Sequence, residues 1–135
     1  MDTIATTWAP RALSLLRIFA GLLFLEHGLQ KLISFPTGLP GGMHAPVGSL
    51  LFFAGIIEVV GGILVTLGLL TRPAAFIMSG EMAIGYFMVH APRSFWPALN
   101  GGDGAILFCF IFLYLAAAGG GVWSVDAVRA GGRSA

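Results

Sequence analysis

The chain has 135 residues, 57% of them hydrophobic and 10% charged, with a net charge of +1 and a mean hydropathy of +0.91. Water-soluble domains carry about 25% charged residues, so the composition is that of one small integral membrane domain filling residues 1–135. The small, scattered charge excludes a nucleic-acid-binding surface, and the single cysteine, Cys109, excludes an intrachain disulfide and a CxxC thiol relay.

Residues 1–10 are mixed in polarity, and Pro10 suits the first turn of a following helix. The apolar run after Arg11 has no small-residue cleavage site, so this first segment is expected to stay as a span, from about 11 to 35. At 100° per residue, Arg17, Gly21, Phe24, Gly28 and Lys31 share one face with His27 at its edge, and this face is expected to turn inward. Glu26 falls on the opposite side, where it needs another helix, a second subunit or the headgroups. Lys31 can instead snorkel toward the surface. A loop of prolines and glycines, Ser34 to Pro46, ends the span.

The second span, about 49–70, is the most apolar, yet it carries Glu58 at its middle. An acid at a span's centre costs roughly 2.5 to 3.5 kcal/mol on insertion, so it needs a partner or a task. Glu58 lies with Leu51, Gly62, Val65 and Leu69, flanked by Gly55 and Gly61, small residues that let another helix approach. It reads either as a packing pin or as a functional group. Thr71-Arg72-Pro73 turns the chain into a third span, about 74–91, which holds a second deep acid, Glu81, and ends at His90. A second Gly/Pro loop follows, with Trp96 as an interfacial anchor; it echoes the first loop, as a duplicated hairpin would. The fourth span, about 105–119, is apolar throughout and best suited to face lipid. The tail anchors Trp123 and leaves Arg129 and Arg133 in water. Arg11, Arg72, Arg129 and Arg133 fall on one side of such a bundle, so the positive-inside rule places both termini in the cytoplasm.

The residues with chemistry to offer are Arg17, His27, Lys31, Glu58, Glu81 and His90. Arg17 is deep enough to require a partner, and pairing with Glu58 or Glu81 is expected, leaving the other acid to hold or pass a proton. His27 and His90 lie at unmatched depths for haem, and no spacing resembles a metal-ligand motif, a phosphate loop or a hydrolase elbow.

Arg17, Gly21, His27-Gly28, Gln30-Lys31-Leu32, Glu58-x-x-Gly61-Gly62, Leu67-Gly68-Leu69, Thr71-Arg72, Met82-Ala83, Tyr86, His90, Asn100-Gly101-Gly102-Asp103 and Trp123-Ser124-Val125-Asp126 occur in an order that resembles the DoxX family of bacterial membrane proteins. The resemblance covers nearly all of the chain from Arg17 to Asp126. It departs at Gly119-Gly120-Gly121, where Gly-Pro-Gly is usual, and at Val125, where Leu is usual. It implies an all-α bundle of four transmembrane helices in the bacterial inner membrane. It also implies a link to redox chemistry, because family members resemble a subunit of thiosulfate:quinone oxidoreductase or are tied to oxidative-stress complexes. The resulting expectation is a membrane subunit that binds quinone or relays its protons, partnered by a soluble redox subunit. Its rivals are a small homo-oligomeric transporter and a scaffold or assembly factor.

Overall fold

The structure is a computed structural model that describes residues 2–131; Arg133 of the tail lies outside the described residues. Six α-helices run in the order α1 (Asp2–Ile33), α2 (Leu50–Leu67), α3 (Thr71–Gly85), α4 (Pro97–Asn100), α5 (Asp103–Ala118) and α6 (Val125–Gly131). A π-helical turn, Tyr86–His90, extends α3, and Ala91 N–H reaches back to the Tyr86 carbonyl at 2.9 Å. Two helices are long and apolar enough to cross a membrane on length and composition alone, Thr3–Ile33 and Leu50–Leu67.

The first helix begins at Asp2 rather than near residue 11, so Pro10 lies inside it instead of in its first turn. Side chains bond back to the main chain around it: Ser14 Oγ donates to the Pro10 carbonyl at 3.0 Å, and Arg11 donates to the Thr7 carbonyl at 3.2 Å. The second helix is started by Ser49, whose hydroxyl accepts Phe52 N–H at 3.2 Å, and stopped by Gly68 in the left-handed region at φ 70°.

Glycines set the pairing of α1 with α2. A Cβ on Gly28 would lie 2.7 Å from the Val59 nitrogen, and one on Gly62 would lie 2.8 Å from the Leu25 nitrogen, so each helix backbone packs directly on the other. The inward face of α2 is Gly55, Glu58, Gly61, Gly62 and Val65, the face that the wheel assigns to Glu58. The two helices make one antiparallel hairpin, and α3 with α5 makes the other. Ser79 Oγ donates to the Cys109 carbonyl at 2.8 Å across the second hairpin. The hairpins close on a core of Phe24, Val65, Ala75, Met78, Phe112 and Leu115. Phe24 meets Phe112 edge to face at 4.8 Å. The fourth expected span, α5, is therefore not simply a lipid-facing helix: Phe112 and Leu115 are fully buried, while Leu107, Phe110 and Leu113 face outward.

Candidate functional site

The deep acids meet because of the antiparallel packing of α2 and α3. Gly61 makes room for Met78, whose sulfur would lie 2.6 Å from a Cβ there. One turn further along each helix, in opposite chain directions, stand Glu58 and Glu81, within electrostatic reach of each other. Lys31 arrives from α1, and its Nζ donates to both carboxylate oxygens of Glu58 at 2.5 Å. The side chains of this pair are 15% and 2% exposed, and it is the one ion pair among the described residues. The ammonium therefore turns inward rather than snorkelling, because a buried carboxylate offers it a stronger partner than the solvated headgroups. Glu81 differs in kind: both of its carboxylate oxygens are buried and accept no hydrogen bond. His27 lies within electrostatic reach of Glu58 at the outer edge of α1, exposed, with its ring 5.9 Å from that of Phe108.

Arg17 corrects the expected arginine–acid pair. It is fully buried, but its guanidinium donates to main-chain carbonyls: Gly120 at 2.7 Å, Val65 at 2.7 Å, Thr66 at 2.5 Å and Trp123 at 2.5 Å. The last carbonyls of α2 lack helical N–H partners and carry the negative end of the helix dipole, so they do the work of a carboxylate. The planar fork of the guanidinium suits four divergent acceptors better than one acid. Arg72 repeats the device on the second hairpin, donating to the carbonyls of Ala116 at 3.2 Å and of Ala117 at the end of α5.

Around Arg17 the C-terminal segment is tied down. Ser14 Oγ accepts Trp123 N–H at 3.1 Å, and Asp126 N–H donates to the Gly68 carbonyl at 2.9 Å. The Asp126 carboxylate accepts Leu70 N–H and Thr71 N–H, each at 2.9 Å, and so caps α3 from a distant part of the chain. This cap holds Leu70 at φ 51°, a left-handed conformation that costs a non-glycine residue about 1 to 2 kcal/mol. Burial disfavours the charge on Asp126, but the two N–H donors and the Arg129 charge prevail, and the carboxyl sits below its usual range.

At the opposite end His90 Nδ1 lies 3.0 Å from the Asn100 carbonyl, and its ring stacks on Tyr86 at 6.2 Å. Asn100, 2% exposed, donates to the Ser94 carbonyl at 2.9 Å and to Tyr86 Oη at 3.3 Å, while its Oδ1 accepts Gly102 N–H at 2.7 Å. His90 thus belongs to a loop clasp about 13 Å along the helix from Glu81. Of the six candidates, Lys31, Glu58 and Glu81 come together with His27 beside them, while Arg17 and His90 sit at opposite ends of the bundle. Sequence reasoning missed the tasks of Asp126 and Asn100, although both stand in the motifs that it singled out. Two surface cavities, about 390 and 550 Å³, lie beside Arg72 and Asp126 and beside Arg11 and Trp123, away from the acids. Next to Glu81, a Cβ on Gly80 or Gly85 would meet nothing within 4 Å, so α3 presents open surface at these glycines while the Glu81 oxygens themselves stay covered.

Residues 12–91 match the DoxX family. An uncharacterized protein of Haemophilus influenzae is 43% identical over 122 residues, covering 88% of this chain and 91% of that protein. An uncharacterized membrane protein of Mycobacterium tuberculosis is 31% identical over 133 residues, covering 87% of this chain and 80% of its own. No solved structure matches the chain. A membrane-length hairpin with buried charges, the family match and a membrane-protein relative agree: the chain is a membrane protein that belongs to the DoxX family.

Proposed function

We propose that the chain is a four-span protein of the bacterial inner membrane with both termini in the cytoplasm. In this reading it serves as the membrane subunit of a quinone-linked oxidoreductase or redox-defence complex. The observation that carries it is Glu81: a carboxyl with two buried, unbonded oxygens beside the Lys31–Glu58 ion pair. A structural ion-pair network completes its own hydrogen bonds, whereas a site that takes up a proton or a ligand keeps an acceptor open. The donor set fits a quinone headgroup: Glu81 accepts from a quinol hydroxyl, and Lys31, with three N–H donors, retains one beyond Glu58 for a ring oxygen. Bound there, a quinone supplies two-electron, two-proton redox chemistry. The chain's own part is to orient the ring by these two groups and to hold a proton at a Glu81 oxygen, with Glu58 holding Lys31 in place. For a lipid-soluble ring to reach Glu81, the side chains that cover its oxygens would have to part; α3 presents open surface beside them at Gly80 and Gly85.

The test is an inventory of proteins and lipid-soluble molecules that co-purify with native-level protein in mild detergent. Quinone near one per chain together with a soluble redox subunit, both of which decline in Glu81→Gln protein, is expected. Recovery without quinone and without a redox partner sinks the proposal. Solute uptake into vesicles that needs no electron donor then favours a transporter using the same carboxyl.

A further inference from the structure

The outward face of α1 carries Glu26, which the bundle leaves unused, with His27 and Gln30 beside it. Glu26 is exposed and, among the described residues, makes no ion pair or hydrogen bond. His27 is exposed too; its Nδ1 lies 2.7 Å from the Leu23 carbonyl, which leaves Nε2 to a partner. Gln30, one turn on, is half-buried.

Helix packing fixes their depth. Gly62 sits against Leu25 and Gly28 against Val59, so Glu26 and His27 lie level with Val60 and Gly61, near the middle of α2 (Leu50–Leu67). That helix is about 27 Å long, close to the hydrocarbon thickness, and its middle is the bilayer midplane. An acid there facing lipid is among the costliest placements a span can have, and headgroups are out of reach of so short a side chain. The residues around it are spaced as a seam: Leu16, Phe19, Leu23, Glu26, Gln30 and Ile33 recur in alternating steps of three and four. All but Gln30 are exposed.

We infer that this face of α1 is the interface between two copies of the chain, packed as parallel helices about a twofold axis, with Glu26 of each copy hydrogen-bonded to His27 and Gln30 of the other. Two copies inserted in the same sense bring identical helices together in parallel, and the self-complementary contact closes as a dimer. In the seam Glu26 takes the d position of the heptad. A d side chain enters a hole formed by four residues of the facing helix, here Leu23, Glu26, His27 and Gln30. The acid thus faces an imidazole and an amide in place of lipid, and each copy supplies what the other lacks. Polar contacts of this kind drive helix association where the surrounding lipid is as apolar as the rest of the face.

The test uses the full chain in lipid nanodiscs and mild detergent. Light scattering should give the mass of two chains, and oxidation should crosslink Leu23→Cys protein in a Cys109→Ala background much faster than Ile77→Cys protein, whose site is exposed on α3. Glu26→Leu combined with His27→Leu should weaken dimerisation about tenfold or more, while Glu26→Gln, which keeps a hydrogen bond, should stay dimeric. Because Glu26 points away from the core, Glu26→Gln protein should keep the wild-type melting temperature, whereas the His27 ring also packs against Phe108. A wild-type mass of one chain, or crosslinking at residue 77 as fast as at residue 23, overturns the inference.

Discussion

The molecule buries charged groups in two places and treats them in opposite ways. At the end where α1 begins and α6 closes, Arg17, Ser14, Ser124 and Asp126 are all bonded, mostly to main-chain atoms left over from helix ends. In the middle of the bundle Lys31 and Glu58 satisfy each other while Glu81 is left with two bare oxygens. The two arrangements consume the same kinds of residue, so residue type does not separate structure from function here. Saturation of the charged groups does: bonded, they hold helices in place, whereas the Glu81 carboxylate keeps open acceptors; hydroxyls fall outside this rule, since Thr66 Oγ1 near Arg17 is also buried without a hydrogen bond.

The contrast is broken most forcefully at Arg17. Arg17→Ala should destabilise the protein by roughly 3 to 5 kcal/mol, read as a loss of folded protein on heating in detergent, because it takes the donor from the Gly120, Thr66 and Trp123 carbonyls at once and leaves Val65 with Gly68 N–H alone. Arg17→Lys should recover little of this, since an ammonium cannot span four divergent acceptors. Recovery to wild-type melting would mean that charge, not the fork, does the work.

The middle site sharpens the contrast. Glu58→Gln leaves the Lys31 ammonium buried without a counter-charge and should cost roughly 3 kcal/mol. Glu81→Gln removes a group that holds nothing in place and should leave stability within about 1 kcal/mol of wild type. Equal losses for the two variants, measured by melting in the same detergent, would make Glu81 part of the structural network.

The smallest effect is at the cap. Asp126→Asn should cost about 1 kcal/mol, the worth of an N-terminal cap. Because the folded carboxyl sits below its ordinary value, the unfolded chain binds the proton more readily; the stabilisation is complete above about pH 4 and fades as pH falls through the lower folded value. Melting temperatures measured from pH 7 to pH 3 should therefore fall at the acid end, and the Asp126→Asn protein should lose less over that interval. An equal fall in both would place the acid sensitivity elsewhere.

Much of the architecture was legible in the chain. The wheel position of Glu58 among Gly55, Gly61 and Gly62 marked the buried face of α2, and the stripe Arg17, Gly21, Phe24, Gly28 marked that of α1, because a 3.6-residue period follows from the backbone alone. The resemblance to the DoxX family was also legible, since it rests on the order of residues. Partner choice was not. Periodicity says which way a side chain points but not what stands opposite, so Arg17 was expected on an acid and Lys31 at the surface, while the structure gives the carbonyls to the one and Glu58 to the other. The roles of Asp126 and Asn100 were hidden for the same reason, as the cap on α3 joins residues more than fifty apart in the chain.

By itself, then, the sequence determined the solvent, the helical content and the inward faces, all of which are properties of composition and local period. Tertiary structure alone decided which charges are satisfied. That depends on the antiparallel register of α2 against α3 and on where the helices end, and those ends offer partners that no side-chain inventory contains.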